Sequence, residues 1–165
     1  MRRAFPALLA LALALGCASF PALEPSARVS DFASRGDARF QASQRLVLEG
    51  LDAERGGDAA RAVGRYERAL QVDSSNPWVY LALARHHVES GAAQRALAHL
   101  DQAEVLFESN PDLGSPGAKL HCDGLRGAAL SELGRRAEAE ALLDAAARSA
   151  PRVWNDGRLS AAELR

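Results

Sequence analysis

The strongest constraint on this chain is a recurrence at 34 residues. Gly57 to Leu70 superposes on Gly91 to Glu104, with Gly57 on Gly91, Ala62 on Ala96, Tyr66 on Leu100 and Ala69 on Ala103. Gly134, Ala139, Leu143 and Ala146 repeat the same mutual spacing after an interval of 43, which implies a nine-residue insertion. A unit of this length, with glycine between two stretches of helical apolar periodicity, predicts a helical hairpin. One hairpin cannot bury its apolar face alone, so successive hairpins must stack. Composition agrees. Hydrophobic residues make up 48%, mainly Ala and Leu, while Val and Ile are sparse and aromatics are 5%. No stretch alternates apolar and polar as a half-buried strand would. The expected fold is all-α.

Stop and start signals fall where this register needs them. Asn76-Pro77 and Ser115-Pro116 each supply an N-cap and a first-turn proline, Asp58 supplies a cap, and Gly134 a stop. Gly50, Ala84 and Gly127 are the small residues of the first helices, and Leu46, Tyr80, Leu83, Leu130 and Leu133 the large ones. With Ala62, Ala96 and Ala139 expected at helix crossings, this pattern resembles the tetratricopeptide repeat over most of residues 43–153. The resemblance implies a solenoid of about three helical hairpins. Glu49 stands where a Leu is expected, Ser74 replaces the closing Pro of the first repeat, and the insertion at Ser109 to Gly114 reads as a loop.

The first residues read as an address. Arg2-Arg3 precede an apolar run from Ala4 to Gly16, too short for a bilayer, which needs about 20 residues, but suited to a signal peptide. Ala14-Leu15-Gly16-Cys17 resembles the lipobox of bacterial lipoproteins. That implies cleavage before Cys17, acylation of its thiol, and anchoring by more than one chain, which holds firmly. Ala14 departs from the preferred Leu. The alternative is an ordinary secretory peptide cut after Ala18 or Ala22, leaving a soluble periplasmic protein. By the same resemblance, Ala18 and Ser19 after the cysteine favour the inner leaflet of the outer membrane. The expected division is a signal peptide over 1–16, lipidated Cys17 with a flexible tether to residue 36, a helical domain over 37–154 and a short tail over 155–165. The tether spans roughly 60 Å at about 3.3 Å per residue. Ser160 to Glu163 has the pattern of a capping box. Cys122, in a Leu- and Ala-rich helical segment, reads as buried.

The chain carries no signal for catalysis, cofactor or metal. It has no phosphate-binding glycine loop, no nucleophile elbow and no CxxC pair. His86 and His87 are adjacent and so point about 100° apart on a helix, which does not suit one metal. His87 falls at an aromatic packing position of the repeat and reads as core. Glu138 and Glu140 read as a solvated face. The formal net charge is −1, and cleavage before Cys17 would remove two arginines and leave −3. Neither value marks a nucleic-acid partner.

Tetratricopeptide arrays line a concave groove with their first helices. The resemblance assigns to that groove Gln44, Val47, Leu48 and Leu51; Trp78, Leu81, Ala82, Arg85 and Glu89; and His121, Leu125, Ala128 and Glu132. Val47, Leu51, Trp78, Leu81, Arg85 and Leu125 are the partner-binding candidates, with Trp78 and Arg85 as anchors. For Leu48 and Leu51 the alternative is packing against the N-terminal helix or a neighbouring repeat. The functional expectation is a non-catalytic, membrane-anchored adaptor of the bacterial cell envelope that binds a protein segment. The alternative is a self-associating structural subunit of an envelope assembly.

Overall fold

Three glycine turns set the architecture. The computed structural model describes residues 27–165, so the expected signal peptide over 1–16, Cys17 and residues 18–26 lie outside the described residues. Ala38–Arg55 (α1) and Ala59–Val72 (α2) form the first hairpin. Pro77–Glu89 (α3) and Ala93–Ser109 (α4) form the second, and Pro116–Glu132 (α5) and Arg136–Ser149 (α6) the third. Two one-turn helices follow, Pro151–Trp154 (α7) and Ala161–Leu164 (α8), and 3-10 turns occupy Val29–Phe32 and Pro111–Leu113. No strand occurs among the described residues.

The 34-residue recurrence appears directly in the backbone. Gly57, Gly91 and Gly134 take left-handed φ values of 81°, 72° and 78°, a conformation glycine adopts without a Cβ penalty. After each, the next N–H reaches back five residues: Asp58 to Ala53 O, Ala92 to His87 O and Arg135 to Leu130 O, at 2.9, 2.8 and 2.9 Å. This is one Schellman turn made three times. The capping signals hold as well. Asp58, Asn76 and Ser115 side chains accept from the N–H groups of Arg61, Trp78 and Ala118. Where the first repeat lacks its closing proline, Asp73 Oδ1 accepts from Ser75 N–H at 2.9 Å and from its hydroxyl at 2.6 Å, turning the chain by an Asx turn instead.

The fold is an all-helical, tetratricopeptide-like solenoid of three hairpins. Each helix packs most extensively on its hairpin partner, and α1, α3 and α5 touch in sequence to form an inner row. Small residues permit the close approach. A Cβ on Gly50 would run into the Tyr66 ring, and one on Gly127 would lie 3.0 Å from Leu143 Cγ and 3.1 Å from Ala139 O. Ala62, Ala96 and Ala139 are buried, as expected of crossings. Ala96 sits in a small cluster with Ala93 and Ala129. Ala96→Leu is therefore expected to overpack this crossing and cost about 1–3 kcal/mol in chemical denaturation. An unchanged midpoint would place this alanine outside the crossing.

Two expectations need correction at the ends. The tether does not run to Gly36, because Ala27, Val29 and Phe32 are buried in the main core. The tail is not an appendage either, since Leu159, Ala161 and Leu164 join the same core. The capping box at Ser160 is present, with Ser160 Oγ accepting from Glu163 N–H and Glu163 Oε2 accepting from Ser160 N–H. Among the described residues no helix is long and apolar enough to cross a membrane.

Candidate functional site

The inner row of helices presents polar side chains as well as apolar ones, and these decide what lies against it. Gln44 on α1 is fully buried, its Nε2 donating to Val29 O at 2.9 Å and its Oε1 accepting from Asn76 Nδ2 at 3.0 Å. His121 on α5 is also buried, with Nε2 at 3.0 Å from Ala27 O. Its Nδ1 lies 3.3 Å from Trp154 Nε1. An indole N–H can only donate, so Nδ1 accepts and the Nε2 proton goes to the Ala27 carbonyl. Between these two, on α3, Trp78 packs its ring 4.7 Å from Phe32, tilted by 35°, and 5.2 Å from Phe107, edge-on. Its Nε1 donates to Leu113 O at 2.9 Å. The residue range 27–32 thus runs across all three inner helices. The C-terminal end closes beside it: Ser30 N–H donates to Arg165 O at 3.1 Å, and the Arg165 guanidinium pairs with Asp52.

This geometry corrects the expectation of an open groove. Val47, Leu51, Trp78 and Leu81 are 0% exposed, and Leu125 is 1% exposed. They share one core cluster with Ala27, Val29, Phe32, Leu159 and Leu164. The physical reason is that two terminal segments, read from sequence as tether and tail, fill the space, while the insertion's Leu113 caps the Trp78 indole. Leu48 and Ala128 are half-buried, and Glu89 and Glu132 are exposed. Sequence reading also missed Trp154, Phe107 and Phe32. The signal available was Val29 and Phe32, three residues apart in an otherwise polar stretch.

Arg85 has a different environment. It is 3% exposed, and its Nη2 pairs with the buried Glu54 carboxylate, whose side chain is 8% exposed. Tyr66 Oη donates to the same oxygen at 2.8 Å, and His86 Nδ1 lies 2.6 Å from the other. Arg85 Nη1 donates to Glu89 Oε2 at 3.0 Å, while its Nε is buried without a partner. Burial first, and the Glu54 charge second, push the Tyr66 hydroxyl far above its ordinary pKa, so it serves as a donor. A cleft of about 560 Å³ opens beside this cluster, lined by Glu54, Arg85, His86, Glu89, Ser160 and Ala161 among others. Glu54 Oε2 thus accepts from both Arg85 and Tyr66, and Oε1 faces His86.

The remaining histidines and the cysteine are held in packing. His87 is half-buried rather than core, its ring stacked on His99 at 5.2 Å and 7°. Burial lowers the pKa of both, that of His87 to about 4 with help from the His99 charge. No group of three His, Cys, Asp or Glu able to hold a metal occurs among the described residues. Cys122 is a buried free thiol pushed up to about 12 by burial, which removes the reactive thiolate at neutral pH.

His121 gives the site a pH dependence. Burial lowers its pKa from 6.5 to about 4, against the weaker opposing effect of the Ala27 carbonyl. The unfolded chain therefore takes up a proton near pH 6.5 that the folded chain refuses until about pH 4. Stability contributed above pH 6.5 is lost as pH falls. From pH 7 to pH 5 the loss from this group is about 2 kcal/mol, at about 1.4 kcal/mol per pKa unit. Urea midpoints at the two pH values check this, and His121→Gln should shrink the difference by about that amount, the remainder coming from His87 and His99.

The tetratricopeptide repeat family model matches residues 55–115, which span α2 to α4 and their flanking turns. Cellulose synthase operon protein C of Pseudomonas fluorescens (strain SBW25) is 38% identical over 88 residues, 53% of this chain. The chain spans only 6% of that relative's length. No solved structure matches. The chain is thus similar to tetratricopeptide-repeat proteins from α2 through α4, and repeats of this kind point to protein–protein interaction.

Proposed function

We propose that this protein is a non-catalytic adaptor of the bacterial cell envelope, held to the membrane by lipid on Cys17, whose helical hairpins hold a segment of another protein. The observation that carries the binding half is the inner face itself. Gln44, Trp78 and His121, one from each inner helix, converge on a short polypeptide segment, two of them through its main-chain carbonyls. A face that takes a peptide in this way uses chemistry any partner chain supplies. The anchoring half rests on the apolar run before Gly16-Cys17. With Ala18 after the cysteine, the proposed location is the inner leaflet of the outer membrane, facing the periplasm.

Two measurements test the two halves separately. Labelling with a fatty-acid probe should mark the unmodified protein and not Cys17→Ser; equal labelling of both would remove the anchor. Capture with the lipidated protein in its own membrane should recover a protein partner in stoichiometric amount. A dilution series that finds only copies of this chain would redirect the reading to self-association.

A further inference from the structure

We propose that the inner face is a peptide-binding groove whose specificity is written in the chain's own residues 27–32, an intramolecular stand-in for a partner segment with an aliphatic residue three positions before an aromatic one. This rests on the adaptor reading and says which chemistry the partner carries.

The stand-in is bound as a peptide is bound. Its polar bonds to the inner helices go through main-chain oxygens, Ala27 O to His121 and Val29 O to Gln44. Those bonds carry no side-chain identity. Selectivity falls to Val29 and Phe32, both buried, while Arg28, Ser30 and Asp31 are exposed. Phe32 supplies the aromatic that meets Trp78. Asp31 Oδ2 accepts from Arg28 N–H at 3.0 Å, a bond within the segment that closes its single turn.

The connection from this segment to α1 is exposed. Between Phe32 and α1 lie Ala33 to Asp37, of which Ser34, Arg35, Gly36 and Asp37 are exposed. Gly36 takes a φ of +66° in this turn, where backbone direction changes at low steric cost. A short segment outside the packed hairpins, joined through an exposed connection, opens at lower free energy than the helices. The groove side is built differently. Gln44 and His121 are fully buried polar groups on packed helices, each oriented by a second bond, to Asn76 and Trp154. Preoriented donors in a row, with an aromatic between them, remain in place when the segment leaves.

A tethered segment competes with any free one at an effective concentration that reaches millimolar for a short linker. Disabling it should therefore expose the groove to a peptide supplied in trans. The experiment compares the full chain in detergent with its Val29→Ser/Phe32→Ser variant. The probe is a labelled peptide with the sequence of residues 27–33, and binding is read by fluorescence anisotropy. The variant is expected to bind the peptide at least about tenfold more tightly than the unmodified chain. A peptide with serine at both anchor positions should not bind. A variant that keeps its helical spectrum and cooperative melt yet binds neither peptide overturns the proposal.

Hydrogen exchange on the unmodified chain decides the matter should the variant lose its fold. Amides of residues 27–33 should open at least about a hundredfold more often than those of α3, and equal protection would make the segment core and overturn the proposal. A partner captured from the membrane that the peptide does not displace also overturns it, while leaving the adaptor reading standing. Peptide binding in the variant, with no partner ever captured, supports the groove and counts against the adaptor.

Discussion

Trp78→Ala is expected to cost about 3–5 kcal/mol of folding stability, the range for emptying a buried aromatic site. The indole is fully buried. It stands between Phe32 and Phe107 and donates to the Leu113 carbonyl. Truncation removes its transfer free energy and leaves a void that the neighbours fill only in part. It also removes two aromatic pairs, each worth roughly 0.5–1.5 kcal/mol beyond area. Trp78→Phe keeps most of the volume and loses the N–H. Leu113 is only half-buried, so water can take over its carbonyl, and this variant should cost about 1 kcal/mol. Denaturant unfolding of both variants gives the ordering. A tryptophan on an open groove would give the reverse, with stability kept and only binding lost. A loss under about 1 kcal/mol for the alanine variant would mean that nothing holds this ring.

The contrast shows which parts of this molecule can be read from sequence. Hairpins are local: a glycine at 57, 91 and 134 dictates the turn, and small residues at 50, 84 and 127 dictate the approach of the paired helix. Those determinants lie within one repeat, and repetition makes them visible. Burial of the inner face is not local. His121 receives a carbonyl from a residue 94 positions away, and Asp52 receives an arginine from 113 positions away. Val29, Phe32, Leu159 and Leu164 belong to no repeat, so their period carries no signal, and the polar residues between them read as linker. The resemblance therefore placed Val47, Leu51, Trp78, Leu81 and Leu125 on an open groove and left out the segments that bury them. Cys122 shows the opposite case. Its place in a Leu- and Ala-rich helical segment reads as buried, and the thiol is 0% exposed.

The second large effect is expected at Glu54. Glu54→Ala should destabilise by about 3–5 kcal/mol, because it leaves a buried guanidinium without its closest counter-charge. The Arg85 side chain is 3% exposed and already has one unpartnered nitrogen, and Glu89, its other partner, is 55% exposed and shielded by water. Tyr66 Oη and His86 Nδ1 lose their acceptor in the same step. Most of this cost is an orphaned charge rather than a lost attraction, since desolvating two ions offsets much of what their pairing gains. The double variant Glu54→Leu/Arg85→Met should accordingly recover most of the loss, giving a large coupling energy in a double-mutant cycle. Denaturant unfolding of the two single variants and the double measures it, and additive losses would show that the two side chains do not act as a pair. If the apolar pair is as stable as the original, stability is not what the ion cluster supplies. The cluster borders a cleft beside α8 at the edge of the inner face. Its charges would then bear on what enters that cleft, and the double variant, folded but uncharged there, is the form in which to measure partner binding.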